Sequence, residues 1–100
     1  MDFPVNLVLS GRRCLVVGGG PVAARKARAL VAAGALVTLV APRILRVARG
    51  AATIRRPFRD ADLRAAFLVI VATDDEALNA RVARACATRG VLVNVVDRPA

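Results

Sequence analysis

The chain has no histidine, tryptophan or tyrosine, and only three phenylalanines and two cysteines in 100 residues. Without histidine it lacks the commonest metal ligand and the usual general base near neutral pH, and no Ser-His-Asp constellation can form within it. Three phenylalanines leave few platforms on which unpaired bases could stack. Acid is scarce too: 7 Asp and Glu stand against 16 Lys and Arg, for a net charge of +9. Long apolar runs are also missing. The longest uncharged stretch, Ala29 to Pro42, falls short of the ~20 residues that cross a bilayer. Asp2 and Pro4, with no basic leader ahead of the first apolar residues, argue against a signal peptide. Cys14 and Cys86 lie inside apolar patterns, not in a CxxC, and read as buried free thiols. The expectation is a cytoplasmic domain with no membrane partner and no protein-held metal.

What the chain does have is apolar bulk, 57% of its residues, enough for a single core at this length. Short continuous apolar runs alternate with Ala- and Arg-rich helical stretches. Arg13–Val17, Leu36–Val40, Phe67–Ala72 and Val91–Val96 read as strands, with Ala52–Arg56 as an exposed one. Pro21–Ala33 has helical spacing and stops at Gly34; a second helix, with Leu78, Val82, Ala85 and Cys86 on one face, stops at Gly90. Short helical pieces are expected at Ile44–Ala48 and Asp60–Ala66. Thr73 with Glu76 three residues on fits a capping box. Asn94 is expected inside a buried strand, in need of hydrogen-bond partners.

Strands that are apolar throughout are buried on both faces, which implies a parallel sheet between helices. Right-handed crossovers then order five strands 3-2-1-4-5, a Rossmann-type doubly wound α/β fold over residues 1–100.

Between the first strand and first helix stands Gly18-Gly19-Gly20-Pro21-Val22-Ala23, a G-x-G-x-x-A. In that context Gly18 serves the tight turn, Gly20 lets a pyrophosphate approach the backbone, and Ala23 lets helix and sheet pack closely. Free amides and the positive end of the helix dipole favour the phosphates, and Pro21 at the first helical position costs little. The carboxylate that often ends the second strand of NAD sites is missing: Ala41-Pro42-Arg43 stands there. Backbone groups could hold the ribose, or Arg43 could meet a 2′-phosphate, so the residues leave NAD and NADP open. Fifteen of the 16 basic residues are Arg, dispersed along the chain. That fits a solvated surface or a field for anionic ligands better than nucleic acid, because no recognition motif accompanies it.

LVVGGGPVAARKARALVAAGALVTLVAP, FLVIVATDDEALNARVA and VLVNVVDRP, in that order, resemble the N-terminal domain of the siroheme synthase family, precorrin-2 dehydrogenases and sirohydrochlorin ferrochelatases. The resemblance runs from Phe3 to Pro99. It implies oxidation of precorrin-2 to sirohydrochlorin with NAD as hydride acceptor; many members also insert ferrous iron. It implies a catalytic role for Asp97 and nucleotide contacts at Pro21, Val22, Pro42 and Arg43, with Thr73 to Asp75 lining the same cleft. Together with Gly18 and Gly20, these form the expected cofactor site. Pro21 departs from the acidic residue many members carry there. The family's dimerisation and C-terminal helical regions have no counterpart in residues 1–100, so homodimerisation is an expectation for longer relatives. The alternatives from other classes are a non-catalytic dinucleotide-sensing module, which would be expected to keep an acid after the second strand, and a truncated, inactive dehydrogenase domain.

Overall fold

A computed structural model of the chain describes residues 2–96. Residues 2–8 run without regular structure and leave Phe3, Val5 and Val8 exposed. Strand β1 (Arg13–Val17) leads through the glycine turn into helix α1 (Pro21–Ala32). The chain returns as β2 (Leu36–Val40), crosses to β3 (Ala52–Ile54) and passes through a 3-10 turn at Asp60–Leu63. Strand β4 (Leu68–Val71), helix α2 (Glu76–Arg89) and strand β5 (Leu92–Val95) follow. All four strand pairings are parallel, and the sheet order is β3-β2-β1-β4-β5, as expected.

The apolar strands serve two cores because successive side chains point to opposite faces. Cys14, Val16, Val37, Leu39, Leu68 and Ile70 pack beneath α1, against Ala23, Ala27 and Leu30. Leu15, Val17, Val40, Val69 and Val71 face the other way, toward Val82 and Cys86 of α2 and toward Phe58 and Leu63. The small residues of α1 let its backbone lie close to the sheet. The helix ends where the sequence places its stop: Gly34, at φ +87°, donates to the Val31 carbonyl, and Ala35 donates to Leu30. This left-handed cap turns the chain directly into β2.

Four local expectations are corrected. Ile44–Ala48 forms no helix. Its two buried residues, Ile44 and Ala48, have helical spacing, but the Leu45 amide donates to the Gly19 carbonyl instead of starting a helical ladder. A five-residue stretch has too little length to oppose that contact. Strand β3 stops at Ile54, because Arg56 turns to bind Asp62. The cap of α2 is Asp75, whose Oδ1 accepts from the Leu78 amide at 3.0 Å, and not Thr73. Asn94 is exposed, since β5 is an edge strand. No helix among the described residues is long and apolar enough to cross a membrane.

Candidate functional site

The carboxyl ends of the strands open into a cleft of about 560 Å³, within the usual range for small-molecule sites. Its floor is the glycine turn. The Gly18 amide donates to the Val40 carbonyl (3.1 Å) and the Ala72 amide to the Val17 carbonyl (2.9 Å), so the turn is fastened to both neighbouring strand ends. At φ +143°, Gly18 adopts a conformation that L side chains avoid, and a Cβ there would run into the Ala72 carbonyl. At Gly19, a Cβ would fall on the carbonyl of Arg43. At Gly20 nothing lies within 4 Å of the Cβ position, so that side of the turn is clear for a ligand.

Gly20 is also the N-cap of α1, with no side-chain cap and no acid in the first turn. The first helical bond runs from the Ala24 amide to the Gly20 carbonyl (3.0 Å). Pro21 has no N–H, and those of Val22 and Ala23 precede the first that can pair within the helix. The Val22 amide and the positive helix end therefore sit at the cleft beside the open face of Gly20.

The wall after β4 is built by Thr73, which Asn79 of α2 holds in place. The Thr73 hydroxyl donates to Asn79 Oδ1 (2.5 Å), and Asn79 Nδ2 donates back to the Thr73 carbonyl (3.1 Å). Thr73 Oγ1 accepts from the Asp75 amide (3.1 Å), which fixes the turn into α2. Pro57, Phe58, Leu78 and Arg81 also line the cleft. The Arg81 guanidinium lies 5.6 Å from the centroid of the Phe58 ring and 3.5 Å from Asp60 Oδ1.

Of the residues singled out from sequence, Gly18, Gly20, Pro21, Val22, Pro42, Thr73 and Asp74 line this one cleft. Arg43 does not line it; its carbonyl packs against Gly19 and the residue is exposed. Asp97 lies outside the described residues. Sequence reasoning passed over Gly19, Phe58, Asn79 and Arg81. Arg81 had a signal, because it stands three residues after Leu78 on the same face of α2. Phe58 had a weaker one, as an isolated aromatic behind Arg56-Pro57. Among the described residues, no three of Cys, Asp or Glu come together as a metal site.

A five-stranded parallel sheet with its glycine turn at the central strand defines a Rossmann-type dinucleotide-binding domain. Residues 5–100 match the family described as "Putative NAD(P)-binding", and the chain belongs to that family. Along its whole length it is similar to siroheme synthases. It is 50% identical to that of Pseudomonas aeruginosa (strain LESB58) over 107 aligned positions, covering 100% of this chain and 23% of the relative. It is 49% identical to that of Thioalkalivibrio sulfidiphilus (strain HL-EbGR7) over 106 positions, covering 99% of this chain and 22% of the relative. Among solved structures it superposes on SirC, a precorrin-2 dehydrogenase, with a TM-score of 0.79 and 31% identity, over 99% of this chain and 51% of SirC. The chain thus spans about a quarter of the length of the curated relatives it matches.

Proposed function

We propose that this chain is the dinucleotide-binding part of a cytoplasmic NAD-dependent dehydrogenase that oxidises precorrin-2 to sirohydrochlorin in siroheme biosynthesis. The observation that carries the reading is the glycine turn. Its Gly20 face is clear of neighbours, and it adjoins the uncapped start of α1 at the mouth of the cleft. A pyrophosphate fits there: it needs close backbone approach, a free amide and no acid in the first turn of the helix, and the start of α1 meets all three. Similarity to siroheme synthases and to SirC supports the choice of substrate.

When bound, the nicotinamide ring supplies the hydride acceptor. The chain's own part is positional. Val22 offers its amide to the phosphates, and the apolar side chains of Val17, Val40 and Pro42 exclude water from the cleft. Asp97 stands two residues after the end of β5 in the sequence, and open α/β folds take their ligands at the carboxyl ends of their strands. In this reading its carboxylate orients the pyrrole N–H groups of the macrocycle and accepts the proton released as hydride leaves. Ferrous iron is a second substrate in the chelatase form of the reaction, with the macrocycle nitrogens as its ligands. Homodimerisation belongs to the longer relatives' form of the protein.

Anaerobic incubation of the chain with precorrin-2 and NAD⁺ should give sirohydrochlorin absorbance and NADH fluorescence in equal amounts. Asp97→Ala should lower turnover on the order of 10²-fold with NAD⁺ binding retained. Absence of product, both from the chain and from a fusion to the remainder of a siroheme synthase relative, would overturn the proposal. Unchanged turnover of the variant would remove Asp97 from the chemistry.

A further inference from the structure

One rim of the cleft is held from behind by a residue that does not enter it. Thr73 lines the cleft. Asn79, one turn into α2, does not; it lines a second hollow of about 380 Å³ between α2 and the end of β5. Thr73 and Asp74 line both, so they form the ridge between the two. Asn79 takes hold of Thr73 at two points: Oδ1 accepts from the hydroxyl, and Nδ2 donates to the carbonyl at 3.1 Å. A hydroxyl carries one proton. Asn79 Oδ1 and, at 3.2 Å, the Asp75 carbonyl both lie within its reach, so Thr73 has none to donate to a ligand. What Thr73 gives the cleft is its position.

The place of that rim indicates what it meets. Its neighbour Ala72 donates its amide to the Val17 carbonyl (2.9 Å), just before the glycine turn, and a Cβ on Gly18 would run into the Ala72 carbonyl. Thr73 therefore stands beside the glycine turn, on its β4 side. In doubly wound folds a dinucleotide straddles the reversal of strand order, with the adenosine ribose at the end of the second strand and its other half on the far side. Here β1 parts β2 from β4, so the half that reaches β4 is the one carrying the nicotinamide. Helix stability gives no reason for an asparagine at position 79. Asn is a weak helix former, and α2 is already capped by Asp75.

We infer that Asn79 is a positioning residue: by holding the hydroxyl and the carbonyl of Thr73 together, it sets the rim against which the nicotinamide half of the dinucleotide docks. The inference rests on the dinucleotide reading of the site given above. Asn79 reaches the nucleotide only through Thr73, so the two side chains act as one unit, and removing either releases the ridge.

The test is calorimetric titration of the chain with NAD⁺ and with ADP, which shares the adenosine and the pyrophosphate but has no nicotinamide riboside. Asn79→Ala should raise the NAD⁺ Kd about tenfold, the scale of one lost hydrogen bond, while moving the ADP Kd less than about threefold. Asn79→Asp keeps an acceptor for the Thr73 hydroxyl and loses the donor to its carbonyl, so its NAD⁺ Kd should fall between those of Asn79→Ala and wild type. Asn79→Ala combined with Thr73→Val should weaken NAD⁺ no more than the worse single variant, since both remove one interaction. A merely structural role would weaken ADP and NAD⁺ alike. That result would overturn the inference and spare the dinucleotide reading, as would unchanged NAD⁺ binding in Asn79→Ala and Asn79→Asp, or additive losses in the double variant. Failure of the wild-type chain to bind either nucleotide would overturn both.

Discussion

The carbonyl of Arg43 occupies the space that a side chain on Gly19 would need. The Gly19 carbonyl in turn accepts the Leu45 amide at 2.8 Å, so the loop after β2 is clasped to the turn after β1 from both sides. Gly19→Ala should therefore damage the fold, since backbone, unlike a flexible side chain, cannot swing aside. We expect a loss of about 3 kcal/mol, at the upper end of overpacking costs, read from urea unfolding.

The neighbouring residue should behave in the opposite way. Gly20 is an N-cap in extended conformation with open space beside it. Asp is a favourable N-cap, so Gly20→Asp should raise stability slightly, by roughly 0.3 kcal/mol. The same carboxylate would stand where a phosphate is expected, and nucleotide titration should show binding abolished. A variant that folds better and still binds would mean the turn is only structural.

At the start of α2, Asp75→Ala should cost about 1 kcal/mol, the usual value of a lost cap, while Asp75→Asn should be nearly neutral. Because Thr73 is tied to Asn79 and to the Asp75 amide, Thr73→Val should also destabilise by about 1 kcal/mol, through the half-buried hydrogen bonds it removes. Equal stability of Thr73→Val and wild type in thermal melts would show that the turn does not depend on that pair.

Arg56 grips Asp62 with two hydrogen bonds, at 2.6 and 2.9 Å, and the Arg59 amide adds a third at 2.8 Å. The Arg56 contact above all, with the Arg59 amide behind it, lowers the Asp62 pKa, outweighing the opposing effect of burial. The native state thus binds the proton less readily than the unfolded chain does. This contribution is full above the ordinary carboxylate pKa of about 3.9 and disappears as pH falls through the depressed native value. Asp62→Asn should unfold at lower urea than wild type at neutral pH, and the gap should close below about pH 4. A gap independent of pH would trace the effect to shape and not to charge.

The sheet order was legible in the sequence because continuous apolar strands leave few other arrangements. Gly18 and Gly20 were legible because their spacing matches a ligand's needs. Gly19 was not, since its constraint comes from Arg43, 24 positions away in the chain. The choice between Thr73 and Asp75 as cap was equally hidden. Both residue types cap helices, and it is Asn79, one turn into α2, that engages Thr73 elsewhere. Ile44–Ala48 misled for a related reason: the periodicity was real, but it reflected two anchors of a loop. Asn94 misled because an edge strand can carry the same residues as a central one.

The sheet stands between Cys14, buried beneath α1, and Cys86, buried in α2 on the other face. They cannot bridge without taking the domain apart. Burial raises the pKa of both thiols, so neither is a ready nucleophile in the folded chain. Each is therefore a sealed reporter for one layer. Under a thiol reagent, alkylation of Cys14 times the lifting of α1, and alkylation of Cys86 times that of α2. The ratio of the two rates measures whether the halves of the domain open together or one before the other.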